Sequence, residues 1–301
     1  MRICWYNDNR LGLVKGDRVY DASKALEKLP KPTYPAAKGG DLLIVHLAKL
    51  RPEIEAAASG SSTPISEVKF LSPVAAPSKV IGTPTNYADH IAEADKQRDV
   101  FTMKRPSTNI EEQGLFLKGN SCLIGAGEVV RLRFPQRRTD HEMELGVIIA
   151  KPASNIKLED ALNYVAGYCI ALDMVVRGSQ DRSMRKSVDT YGVAGPWMVT
   201  ADEIADPQNL AMWLDVNGQR RQDGSTRTMI FGVAELVAYC SRFMTLWPGD
   251  LITTGTPPGV ALGMKPTPVY LKPGDEMRLG IAGLGEQRQT VHAWDPRLID
   301  A

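Results

Sequence analysis

The four cysteines, Cys4, Cys122, Cys169 and Cys240, never come close enough in the sequence to form a C-x-x-C pair. That leaves no cysteine-type zinc site and no redox dithiol to read. Each lies in apolar company, as in NYVAGYCIALDMVV, where a thiol packs as a small hydrophobe in a reducing compartment. No apolar run approaches the roughly 18–20 residues needed to span a bilayer. The opening MRICWYNDNRLGLVKGDRVYD has no basic-then-apolar signal pattern, so a cytoplasmic protein with no membrane partner is expected. Charge of one sign is lacking too: 36 Lys and Arg stand against 35 Asp and Glu, a net charge of +1. No global field favours nucleic acid. G-x-S-x-G is also missing, so any hydrolysis is expected to run through water and not through a serine nucleophile.

What is present suits a folded enzyme. A chain of 301 residues, 43% hydrophobic and 24% charged, can bury one large core, or one large and one small. RICWY, LGLVKG and RVYDAS read as short strands between turn-prone pairs, and GDLLIVHLAKLRPEIEAAAS carries apolar residues at helical spacing. Residues 1–75 are therefore expected to form a small N-terminal α/β domain, followed by the proline-rich SPVAAPSK. From residue 76 to 301 the pattern changes to many short β-branched runs, among them ELGVIIAK, YCIALDMVV, WMVTAD and MWLDVNG. VNGQ is a hairpin signal, and KLEDALNYVAGY and VAELVAYCSRFM are helix-like interruptions. The class is α+β, a strand-rich sheet with few helices. The polar, aperiodic DKQRDVFTMKRPSTNIEEQG makes residues 86–114 a candidate lid.

Three carboxylates stand out. In TDHEMELGVIIAK, Glu142 and Glu144 are two apart, so on a strand they share a face, and two like charges held together require a cation or a basic side chain between them. Asp173 interrupts an apolar strand, where an unpartnered carboxylate is costly. Solvated glutamates and a backbone-bonded aspartate are the plain alternatives. Together the three would instead make an oxygen-only pocket for a hard divalent cation such as Mg²⁺ or Mn²⁺. In NYADHIAEA, Asn86 is a candidate N-cap, and His90 and Glu93 lie three apart on one helical face. They form either a surface pair or a general acid/base pair able to activate water.

The segments IGTPTNYADHIAEA, TDHEMELGVIIAK, GYCIALDMVVRGSQ, KSVDTYGVAGPWMVT, MIFGVAELVAYC, DLITTGTPPGV and LKPGDEMRLGIAGLG occur in that order. Over roughly residues 78–297 the chain resembles the fumarylacetoacetate hydrolase family, on the side of its acylpyruvase and 2-hydroxyhepta-2,4-diene-1,7-dioate isomerase members. The resemblance implies a mixed β-roll, a homodimer, and Mg²⁺ or Mn²⁺ held by Glu142, Glu144 and Asp173. It further implies catalytic roles for His90, Glu93 and Lys186, and substrate binding by Arg177, Gln180 and Thr256. Met174-Val175-Val176 and Gly178 depart from the family pattern, and the stretch between Glu93 and Phe116 is longer than usual by about ten residues.

The expected activity is metal-dependent hydrolysis of a carbon–carbon bond in a 2,4-dioxo acid of acylpyruvate or fumarylpyruvate type. The products would be pyruvate and a carboxylic acid, in aromatic-compound or sugar-acid catabolism. The other class is a lyase or isomerase acting on a related 2-oxo or 2-hydroxydienoic acid, since one metal-stabilised enolate serves decarboxylation, isomerisation and hydration alike.

Overall fold

The computed structural model describes residues 1–31, 39–95 and 110–299. The strand-rich α+β architecture expected from the sequence is present. Among the described residues, eleven strands form one sheet. From Arg2–Tyr6 to one edge it runs Arg2–Tyr6, Gly192–Thr200, Val165–Asp173, Met143–Ile149, Leu251–Thr253, Val80–Gly82 and Phe116–Lys118. Arg2–Tyr6 pairs antiparallel with Gly192–Thr200, so the N-terminal strands extend the same sheet. A five-stranded sheet, in the order Gln219–Ser225, Ala211–Val216, Glu276–Ile281, Gly285–Ala293 and Val130–Leu132, shares a core with the first. Leu145, Ile170 and Val193 from one sheet join Leu214, Leu279 and Val291 from the other in one apolar cluster.

Side-chain alternation explains the layering. Cys4 and Val14 face that cluster, whereas Ile3 and Leu13 turn the other way onto the helix Leu47–Ala56 through Leu50 and Ile54. Fully burying a Leu or Ile side chain of that kind contributes about 1.5–3 kcal/mol. Met143–Ile149 is buried along its whole length, and Val165–Asp173 nearly so, which is why both read as almost unbroken apolar runs.

The VNGQ hairpin forms as expected, with Asn217 and Gly218 at φ 50° and 76° between Ala211–Val216 and Gln219–Ser225. The helix Val233–Phe243 forms too, with Glu235 accepting from the Gly232 N–H at 2.7 Å. Two helical expectations are modified. GDLLIVHLAKLRPEIEAAAS breaks at His46 into Leu42–Val45 and Leu47–Ala56. In KLEDALNYVAGY, only Leu158–Tyr164 is helical, as a 3-10 turn, and the β-branched Val165 then opens a central strand.

Candidate active site

Strand register builds the carboxylate cluster. Met143 pairs with Leu172 and Glu144 with Ala171. One step further the Asp173 N–H donates to the Glu142 carbonyl at 2.8 Å, which makes Glu142 and Asp173 cross-strand neighbours and Glu144 the diagonal one. All three are buried, with carboxylate oxygens within 4.8 Å of one another. Lys186 Nζ lies 2.5 Å from Glu142 Oε2 and also donates to Asp173 Oδ2. Lys118 Nζ donates to Asp173 Oδ1 and, at 2.9 Å, to the Tyr191 carbonyl. Arg177 Nη2 is 2.8 Å from Glu142 Oε1.

Glu144 is treated differently. Its Oε2 accepts from the Gly255 N–H at 2.7 Å, a neutral donor. Gly255 has φ +90°, and a Cβ there would stand 2.7 Å from that of Asn86, so the position requires glycine. Burial pushes the Glu144 carboxyl up to about 8, and the neighbouring Asp173 and Glu142 charges add to the effect. Burial also works to raise Glu142, but Lys186 and Arg177 outweigh it and hold that carboxyl well below the usual range. Burial opposes the Lys186 charge, and Asp173, Glu142 and Glu144 overcome it. The donor set is three carboxylates with no cysteine or histidine among them, which fits a hard divalent cation.

Of the nine residues expected from the sequence, His90, Glu142, Glu144, Arg177, Lys186 and Thr256 line one cavity. Asp173 sits directly behind, bonded to both lysines. His90 rides on the helix Ala88–Asp95. Its Nδ1 is buried without a hydrogen-bond partner, 3.7 Å from Glu93 Oε2. The Glu93 carboxylate accepts from the Gly259 N–H at 3.0 and 3.1 Å, and Gly263 leaves it space that any Cβ would fill. Asn86 does not act as a side-chain cap within its own helix. It donates to the Phe231 and Thr254 carbonyls at 2.9 and 2.8 Å and accepts from the Phe231 N–H at 2.8 Å. Thr256 donates to the Met143 carbonyl and accepts from Gln222 Nε2, both at 2.8 Å. Gln180 stands outside the cavity, exposed, accepting from Arg137 at 2.7 Å. Residues 96–109 of the candidate lid lie outside the described residues.

Sequence reading passed over Lys118 and Asp140. Asp140 accepts from Arg177 Nε and Nη2 at 3.0 and 2.7 Å, and from the backbone N–H groups of His141, Ala261 and Leu262 at 2.9, 2.8 and 3.0 Å. It thereby aims Arg177 at Glu142 and fixes the loop against which the His90 helix packs.

A family model described as fumarylacetoacetate (FAA) hydrolase C-terminal matches residues 79–292. The chain belongs to the fumarylacetoacetate hydrolase family. A maleylpyruvate hydrolase of Aquipseudomonas alcaligenes is 47% identical over 295 residues, covering 97% of this chain and 100% of that protein. The crystal structure of maleylpyruvate hydrolase from Sphingobium sp. SYK-6 in complex with manganese(II) and pyruvate superposes with a TM-score of 0.80 at 36% identity, covering 98% of this chain and 100% of that one. A 2-hydroxyhepta-2,4-diene-1,7-dioate isomerase from Mycobacterium marinum has a TM-score of 0.67 at 25% identity, covering 97% and 98% of the two chains.

Proposed function

We propose that the protein is a Mg²⁺- or Mn²⁺-dependent hydrolase of acylpyruvates, cleaving the bond between the pyruvyl unit and the acyl carbonyl to release pyruvate and a carboxylic acid. The observation that carries the reading is the convergence of Glu142, Glu144 and Asp173 beneath a cavity that His90 also lines. Similarity to a maleylpyruvate hydrolase that binds manganese and pyruvate supports it. A divalent cation held by these carboxylates would polarise the 2-oxo acid.

The chain's own residues supply the rest. His90 takes a proton from the attacking water, and Glu93, held by Gly259, steadies the imidazolium that results. The water oxygen bonds to the acyl carbonyl carbon, the carbon–carbon bond breaks, and its electron pair stays on the pyruvyl fragment as an enolate. The His90 imidazolium gives its proton back to the enolate carbon, which completes pyruvate and restores the base. Arg177 and Lys118 hold Glu142 and Asp173 in place, while Lys186 offsets negative charge as it develops. Residues 76–301 form the catalytic unit in this reading, with 1–75 as a smaller flanking domain and 86–114 as a lid. The family match beginning at residue 79 supports that division. We place the enzyme in the cytosol, where four buried free thiols remain reduced, as the homodimer that the family resemblance implies.

The test is product analysis. Mn²⁺-loaded protein incubated with an acylpyruvate should yield pyruvate and the matching carboxylic acid in equal amounts by NMR. Carbon dioxide or an isomerised dienoate without the acid would move the reading to a lyase or an isomerase.

A further inference from the structure

Lys186 ends a five-residue helix, Arg182–Lys186, whose start is capped by Asp181 accepting from the Ser183 N–H at 2.8 Å. Residues three and four apart on a helix share a face. Arg182, Arg185 and Lys186 accordingly all line the cavity, whereas Met184 is 68% exposed. Lys186 is engaged by Glu142 and Asp173. Among the described residues, neither Arg182 nor Arg185 makes an ion pair.

Each guanidinium is instead oriented by neutral groups. Arg182 lies over the Phe116 ring, its Cζ 5.6 Å from the centroid, and Nη2 reaches Gln113 Oε1 at 3.4 Å. Arg185 donates from Nε to the Gln180 carbonyl at 2.8 Å and from Nη1 to the Val176 carbonyl at 3.2 Å. Carbonyls and an aromatic face direct a planar fork without cancelling its charge. Burial disfavours both charges more than the nearby Glu142 and Asp181 favour them, so an anion entering the cavity relieves a cost already present.

Charge accounting points the same way. Four carboxylates, Asp140, Glu142, Glu144 and Asp173, face three cations, Lys118, Arg177 and Lys186. With a divalent ion bound and Glu144 ionised, these charges sum to one positive charge. The carboxylate of a 2-oxo acid balances that. Arg182 and Arg185 then remain at the same cavity with no carboxylate, among the described residues, in direct contact with either guanidinium.

We propose that Arg182 and Arg185 form a subsite for a second carboxylate, carried on the acyl half of the substrate, so that the enzyme selects dicarboxylic acylpyruvates over those ending in an alkyl group. The inference rests on the acylpyruvate reading above. Phe116 has a supporting role as the surface on which Arg182 is laid. Gly82 makes this possible, because any Cβ there would occupy the space of the ring.

The experiment compares kcat/KM for fumarylpyruvate and acetylpyruvate in the Mn²⁺-loaded wild type, in Arg182→Gln/Arg185→Gln, and in Arg182→Lys. Two charge-assisted contacts should give the wild type a preference of about 100-fold or more for fumarylpyruvate, falling to about 3-fold or less in the double variant. Arg182→Lys, which keeps the charge but not the fork, should lie between them. Calorimetry supplies a readout independent of turnover: fumarate should bind the double variant about tenfold or more weaker than wild type, while oxalate, which needs only the metal, shifts far less. Equal wild-type efficiency on both substrates overturns the subsite and leaves the hydrolase reading standing, as does a double variant that keeps the wild-type preference. Failure of the wild type to cleave either substrate overturns the hydrolase reading itself.

Discussion

Asp140 and Glu144 are buried carboxylates four residues apart on one segment, and their surroundings are opposite. Asp140 accepts five hydrogen bonds, two from the Arg177 guanidinium and three from backbone amides. Glu144 accepts one from a glycine amide and faces two further carboxylates. Asp250, far from the cavity in sequence and partners, follows the Asp140 pattern: Ser78 Oγ, the Lys79 and Trp247 amides and the Lys79 ammonium satisfy it. A buried charge is thus not in itself a sign of function, because a fold can satisfy one completely. The sign is a buried carboxylate left short of donors among its own kind.

If that contrast is right, the largest effects come from the carboxylate cluster to which Glu144 belongs. Asp173→Ala should abolish Mn²⁺ binding in calorimetry and lower turnover by about 10³-fold or more, since a cation supplies several kcal/mol of charge stabilisation. Retained metal binding would remove Asp173 from the site. His90→Ala should lower kcat by about 10²–10⁴-fold and leave Mn²⁺ affinity close to wild type, because it acts on water and not on the cation. Near-normal turnover on every acylpyruvate would remove His90 from the chemistry. Asp140→Asn sharpens the other side of the comparison. It leaves a buried guanidinium with a weaker partner and should cost up to about 3–5 kcal/mol of stability in urea unfolding, with and without Mn²⁺ alike. A loss seen in the metal-loaded protein alone would make Asp140 part of the metal site and erase the distinction.

The sequence made one half of this arrangement readable. Glu142 and Glu144 share a face because strand residues alternate, and Asp173 was conspicuous as a charge in an apolar run. The family resemblance supplied Lys186 and Arg177, but not what they touch. That Arg177 is shared between Asp140 and Glu142 depends on Val175–Val176 pairing with Thr139–Asp140, 35 and 37 residues apart in the chain, which no local pattern encodes. Lys118 closes a three-residue strand, FLK, and reads like any solvated strand end. Its burial follows from the placement of that strand beside Val80–Gly82. Arg182 and Arg185 sit on a helix of five residues, too short to display a period. The strands were legible for the opposite reason: runs such as ELGVIIAK are buried on both faces and show it in their composition.

Thermal unfolding of the metal-free protein and of Glu144→Gln, at pH 6 and pH 9, bears on Glu144 itself. The folded carboxyl keeps its proton up to about 8, whereas in the unfolded chain it loses it near the ordinary value of 4.5. Between those values the folded state holds the extra proton, so this group's contribution to stability falls as pH rises. The amide carries no charge at either pH and can still accept from Gly255. At pH 6, already above the unfolded value, the wild type should therefore unfold somewhat earlier than the variant, and at pH 9 it should unfold earlier by a wider margin. Added Mn²⁺ should raise the wild-type Tm at pH 9 and leave the variant nearly unmoved. A variant less stable than wild type at both pH values without metal, and stabilised by Mn²⁺ as much as wild type, would contradict the assignment of Glu144 as the carboxylate that waits for a cation.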